Sequence, residues 1–251
     1  MCFLLFTGES FRSLSYLFRV GVSTNRQFIP ETCSAIYQVL KDKYLKVCDH
    51  KPTCVLRCDF FLYFSHSFSV VLMALVDSSY RFLYVDGGCN GRISDGGVFG
   101  GCSLQNALEN RTVNIPAPAP LPGSDQLAPY CIVADEAFPL KEYLMKPYPN
   151  RRLSVQVVEN AFGILANRFR TFLNTINIQD TAKVEDIVLA CCALHNFLRA
   201  ECGEWRQDPD LLQAPLPYTT NTTTRAKRSR DELCQYFISE IGAVPFQWSK
   251  I

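Results

Sequence analysis

The chain has 251 residues, 48% of them hydrophobic, and a formal net charge of +1. That is enough apolar material for one large core with a small appended unit. The near-zero charge excludes a global field that would draw the protein onto nucleic acid, so any such surface must come from local clusters of Arg and Lys.

The 12 cysteines form no Cys-x-x-Cys pair, and His50, His66 and His195 are the only histidines. Structural zinc sites need two close-spaced ligand pairs, so the cysteines read as reduced, small buried hydrophobes of a nuclear or cytosolic protein. No charged leader precedes an apolar stretch, and no run is long and apolar enough to span a bilayer, so no membrane association is expected.

In chain order, Ser10 caps a helix carrying Phe11, Leu14, Leu17 and Phe18, and Gly21 breaks it. A second helix is expected from Ser23 or Thr24, with Pro30 marking a further helix start before Ile36, Val39, Leu40 and Tyr44. Short helices joined by a glycine turn fit a helix-turn-helix-like segment over residues 1–47. Its basic positions Arg12, Arg19 and Arg26 are candidate DNA contacts.

From Cys48 to Ser67 the pattern is irregular. Phe68–Val76 then reads as a buried strand, Asp77-Ser78-Ser79 as a turn, and Tyr80–Val85 as the returning strand. A glycine-dense loop, Asp86–Gly97, precedes a helix over Phe99–Leu108. Ile115–Pro129 has polyproline character, and Tyr130–Ala134 is a short strand ending in Asp135-Glu136. A long helix capped by Ser154 carries Val155, Val158, Phe162, Leu165, Phe169 and Phe172 on one stripe; another carries Val184, Ile187, Val188, Cys191, Leu194, His195 and Leu198. Residues 201–251 form a tail, expected to be loosely ordered until Leu233–Ile241, whose basic run Arg225–Arg230 is a candidate nuclear-import signal.

Strand, turn, strand, loop, strand ending in Asp and helix carrying Glu suggests an α/β layer arrangement. Asp135 stands just past the carboxyl end of a strand, where open α/β sheets place ligands. Glu159 follows on a helix whose neighbouring positions, Gly163 and Ala166, are small. Convergent carboxylates are what hard divalent cations need in two-metal phosphodiester cleavage.

The blocks Ala74–Asp77, Val85-Asp86, Gly91–Phe99, Val133–Leu140, Val157–Leu165 and Ala193–Leu198, in this order, resemble the DDE-type superfamily endonuclease domain of PIF/Harbinger transposases and their domesticated relatives. The resemblance covers about Phe61 to Arg199, and the helical start resembles the segment these proteins carry before the nuclease core. It implies an RNase H-like core, a mixed sheet flanked by helices, over residues 48–200. It also implies Mg²⁺ or Mn²⁺ as cofactor and DNA as partner, with a nuclear-import or DNA-binding protein as a further partner. Catalytic residues carried over are Asp135 and Glu159, with Asp95 as a further metal-supporting acid; His195 is read as a helix-packing residue that hydrogen-bonds locally.

Two departures stand out. The family's first catalytic aspartate element is not intact: Asp49, in Cys48–Pro52, is its nearest remnant, Val55–Cys58 is read as the remains of its strand, and Asp59 is a weaker substitute. Asp135 and Glu159 are also only 24 positions apart (159 − 135), which shortens the approach to the glutamate helix. The chain is therefore expected to keep the fold and to be an impaired nuclease, or to serve as an inactive nuclear DNA- or protein-binding adaptor. Localisation is expected in the nucleus, and in the cytoplasm as well.

Overall fold

A computed structural model describes residues 2–45, 54–64, 68–90, 95–113, 115–134, 137–146, 156–202, 224–239 and 241–242. Three helices open it: α1 (Cys2–Thr7), α2 (Phe11–Phe18) and α3 (Val22–Tyr44). Ser10 caps α2 by accepting a hydrogen bond from the Ser13 amide at 3.1 Å. The expected break at Pro30 does not occur, because α3 runs through it as one 23-residue helix. A proline there removes a hydrogen bond, a cost of about 3 kcal/mol. Burial of Ile29, Pro30 and Cys33, and the packing of α3 along a later helix, offset that cost.

The central sheet is built from β1 (Cys54–Phe64), β2 (Phe68–Asp77), β3 (Phe82–Asn90), β6 (Ile132–Ala134) and β7 (Leu144–Met145), in the spatial order β3-β2-β1-β6-β7. The first three strands are antiparallel neighbours, while β1–β6 and β6–β7 are parallel. The segment that looked irregular from Cys48 to Ser67 thus contains the middle strand of the sheet. The reason lies in the β1–β2 register, which shifts between Arg57 and Phe60. A bulge there puts the two halves of the strand out of phase, so no single period-two alternation runs through it. Likewise β3 extends to Asn90 and takes in the first half of the glycine-dense run.

The expected helix over Phe99–Leu108 is two helices, α4 (Asp95–Gly101) and α5 (Ser103–Glu109). They divide at Cys102, whose Sγ accepts from the Gln105 amide at 3.3 Å. The proline-rich stretch carries a small ladder, β4 (Ala119–Pro120) against β5 (Leu127–Ala128). Helix α6 (Gln156–Arg168) ends in a 3-10 turn, Arg170–Leu173, and α7 (Thr181–Glu201) is capped by Asp180. Ser154, expected to cap α6, lies outside the described residues. A last helix, α8 (Thr224–Ile238), holds the basic run that the sequence placed in a loosely ordered stretch.

Alternate residues of β2 divide the core into two layers. Leu72, Ala74 and Val76 face the layer that contains Val158, Phe162 and Leu165 of α6 and Val184, Ile187 and Cys191 of α7. Val71, Met73 and Leu75 face Val98 and Phe99 of α4 and Leu104 and Leu108 of α5. Helix α3 packs on α7 and adds Ile29 and Cys33 to the first layer. Cys33, Cys102, Cys191 and Cys192 are buried free thiols, and burial pushes the pKa values of the last two well up. Among the described residues, no helix is long and apolar enough to cross a membrane.

Candidate active site

Strand β6 is short, and its parallel pairing places Ala134 beside Leu56 of the middle strand. Asp135 is the next residue along the chain; it lies outside the described residues, as does Asp49. Helix α6 lies across β1 and β2, held by Val158, Ala161, Phe162 and Leu165, each at most 5% exposed. Glu159 sits in the first turn of α6, half-buried beside these anchors. A carboxylate at that end of a helix is favoured by the macrodipole. One turn on, a Cβ added to Gly163 would meet nothing within 4 Å among the described residues.

Asp95 opens α4, which packs on β1 from the opposite face of the sheet to α6. Carboxylates on these two helices can therefore meet only at the strand ends. The start of α4 does approach that rim: a Cβ on Gly96 would stand 3.2 Å from the carbonyl oxygen of Ala137, two residues past Asp135. Asp59 occupies the β1 bulge, three positions beyond the residue paired with Ala134. Bulges gather next to active sites because they re-aim side chains and interrupt pairing. The segments bearing Asp59 and Asp95 thus approach the end of β6, while α6, which bears Glu159, lies across β1 and β2. Among the described residues, no three His, Cys, Asp or Glu side chains form a metal-holding group.

Two other acids have different surroundings. Asp77 is 1% exposed and closes the β2–β3 turn. It accepts from the amides of Ser79 (2.8 Å) and Arg81 (3.0 Å) and pairs with the Arg81 guanidinium at 2.6 Å. Asp86, part of a family block but given no role from sequence, lies in β3 opposite Met73. The Tyr84 hydroxyl donates to Asp86 Oδ2 at 3.0 Å and lies 2.8 Å from Ser103 Oγ. These three residues, with Tyr37, Leu45, Leu83 and Val85, line a groove of about 340 Å³. Burial, then Asp86 and Asp186, raise the pKa of Glu185 nearby. Adjacent strands are about 4.8 Å apart, so β2 holds the Asp86 backbone roughly 10 Å from β1.

His195 is fully buried, as a packing residue should be, although its partner lies across the fold. Its Nε2 is 2.9 Å from the Tyr80 carbonyl oxygen, 115 positions away, and its ring packs edge-on to Phe82 at 5.1 Å. Burial, with Arg168 and Arg199 nearby, pushes its pKa down to about 3. Two guanidinium groups make this a poor place for a metal cation. Asn196 completes the latch, accepting from the Phe82 amide (2.9 Å) and donating to the carbonyls of Phe82 and Tyr44, both at 2.6 Å.

Arg12, Arg19 and Arg26 are all exposed, on α2, its left-handed C-cap (φ 55°) and α3. Of the site acids expected from sequence, only Glu159 has a described side chain, because that of Asp95 also falls outside the described residues.

The model of the DDE superfamily endonuclease family matches residues 45–196. A curated relative from Arabidopsis thaliana, "Protein ALP1-like", is 28% identical over 189 residues, which is 70% of this chain and 46% of that protein. The chain therefore spans about half the length of the relative it matches. No solved structure matches.

Proposed function

This chain belongs to the DDE superfamily endonucleases, and we propose that it is a Harbinger transposase-derived, nuclease-like DNA-binding protein whose cleavage site is impaired. The sheet order, with three antiparallel strands followed by two parallel ones on the far side of β1, supports an RNase H-like core. The observation that carries the reading is the rim around β6. The strand ends beside the middle of the sheet one residue before Asp135, with the start of α4 close to Ala137 and α6, which bears Glu159, lying across β1 and β2 on the opposite face.

The substrate class would be DNA, and the reaction hydrolysis of a phosphodiester bond. Carboxylate oxygens are the hard donors that Mg²⁺ or Mn²⁺ takes, so the donor set fits; Asp135 and Glu159 would hold the ion, with Asp95 in support. A bound divalent cation would supply charge stabilisation for the attacking and leaving oxygens. The protein's own part is to hold the carboxylates: α6 is fixed by its buried stripe.

Impairment follows from the first acidic position. Asp49 and Asp59 are its substitutes, and the Asp59 backbone sits in a bulge rather than in regular pairing. Catalysis loses about a hundredfold for a misplacement of about 1 Å. We expect purified protein to show no Mg²⁺- or Mn²⁺-dependent nicking of supercoiled plasmid above background. Nicking that disappears in Asp135→Ala and in Glu159→Gln would overturn the impaired reading and establish an active nuclease.

The adaptor reading is favoured by one specific observation, the exposed arginines and aromatic side chains of α2 and α3. Nuclear localisation is proposed on the basic run Arg225–Arg230, presented on α8.

A further inference from the structure

Strand β3 is the last of the sheet, so its outer side faces no other described strand. At Phe82 that side is closed by the Asn196 amide, which accepts from the Phe82 N–H and donates to the Phe82 carbonyl, as a residue of a neighbouring strand would. From Leu83 to Gly87, among the described residues, the backbone hydrogen-bonds only through its ladder to β2. An edge strand in this state is a template for pairing with another chain. A groove of about 340 Å³ runs beside it, with Leu83–Asp86 between Tyr37 and Leu45 of α3 and its C-cap and Ser103 of α5. The two helices belong to opposite layers of the core. Residues from opposite faces of a sheet can share a groove only around its edge, so the groove follows the outer side of β3.

The charge along this edge is one-sided. Glu185 of α7 lies against the strand beside Asp86: a Cβ on Gly87 would stand 3.5 Å from Glu185 Cγ. Burial, then Asp86 and Asp186, raise the pKa of Glu185; burial, then Cys192, Glu185 and Asp42, raise that of Tyr37. Among the described residues, none of Asp42, Asp86, Glu185 and Asp186 forms an ion pair. Lys41, whose ammonium stands 5.7 Å from the centre of the Tyr37 ring, pairs with none of them.

The open edge and its charge together select the occupant. DNA phosphates would be repelled by the carboxylates. A second copy adding β3 to β3 would bring these acids up to their own counterparts, and like charges across a strand pair are destabilising. An extended segment carrying Lys or Arg both continues the ladder and brings the missing cations. We propose that the outer edge of β3 is a strand-addition site for an extended basic segment of a partner protein. This inference does not rest on the nuclease reading, because β2 and β1 stand between β3 and the rim of β6.

The test uses the full chain and fluorescence anisotropy with three labelled peptides. The first has nine residues, the length of β3, and alternates Val and Lys. The second has Glu in place of Lys. The third keeps Lys but is N-methylated at its backbone amides, which preserves charge and removes the hydrogen bonds of a strand. The Val-Lys peptide is expected to bind, more weakly as salt rises, and to slow hydrogen exchange at the amides of Tyr84–Asp86. The other two peptides, and the Val-Lys peptide with the Asp86→Asn/Glu185→Gln protein, are expected to bind about tenfold or more weakly, a change of about 1.4 kcal/mol. Circular dichroism checks that the variant retains its fold.

Failure of the Val-Lys peptide to bind, or undiminished binding to the Asp86→Asn/Glu185→Gln protein, overturns the proposal. So does equal binding of the N-methylated peptide, which would reduce the contact to charge with no added strand. Concentration-dependent dimerisation that strengthens in Asp86→Asn/Glu185→Gln would assign the edge to a second copy instead.

Discussion

His195 and Asn196 are neighbours on α7 that do one job from two sides of the same turn. Asn196 uses both ends of its amide on the backbone of Phe82 and reaches the carbonyl of Tyr44. Removing it leaves these buried groups without their partner, and unsatisfied buried groups cost about 1–3 kcal/mol each. Asn196→Ala is therefore expected to lower the free energy of unfolding in urea by about 3 kcal/mol, without loss of secondary structure in what remains folded. His195 acts through its protonation state. Its folded pKa is pushed down to about 3 from an ordinary 6.5, so the unfolded chain takes up the proton first as pH falls. The stability that the neutral ring contributes is complete above about pH 6.5 and drains away as pH falls towards 3. In thermal melts between pH 7 and pH 4, the fall in Tm should be shallower for His195→Gln than for the unsubstituted protein. Parallel curves would remove His195 from the acid response.

Among the elements, the α1–α2 turn depends on a single residue. Gly8 has φ 70°, and a Cβ there would stand 2.5 Å from the Arg170 carbonyl oxygen; the Gly8 carbonyl in turn accepts from Asn174 Nδ2 at 3.1 Å. Gly8→Ala should cost about 2 kcal/mol through backbone strain and the clash with the 3-10 turn, read as a lower urea midpoint with unchanged slope. This contact was invisible in sequence because its partner is over 160 positions away. Helices α6 and α7 were legible, since their buried residues recur at helical spacing: Val158, Phe162 and Leu165, then Val184, Ile187, Val188 and Cys191. Strand β1 was legible only in its first half, Val55–Cys58, because the bulge interrupts its period and its apolar run, Phe60–Phe64, has no alternation of its own. Pro30 misled for a related reason: local propensity argues for a helix start, while packing against α7 carries the helix through. The place of Asp59 in the β1 bulge emerges only from strand register.

At the scale of the whole molecule, among the described residues, α8 shares a buried cluster with the rest that is far smaller than the two main layers. Ala226 is buried against Leu140 and Met145, with Cys131 and Leu233 beside them, and this cluster is separate from both core layers. The Arg225–Glu142 pair, at 3.3 Å, joins side chains that are 80% and 48% exposed, and such surface pairs contribute little. Tyr236 adds one hydrogen bond to the Pro122 carbonyl at 2.6 Å. A helix attached this way should open independently of the sheet, because local stability follows local burial. Ala226→Asp sets a charge against Leu140 and Met145 and should release α8. Trypsin would then cut after Lys227 and Arg228 much faster than in the unsubstituted protein, while the main melting transition moves by no more than about 2 °C. A large drop in Tm with no new cleavage would instead make α8 part of the cooperative core, and the basic run would then be presented only as an ordered helix.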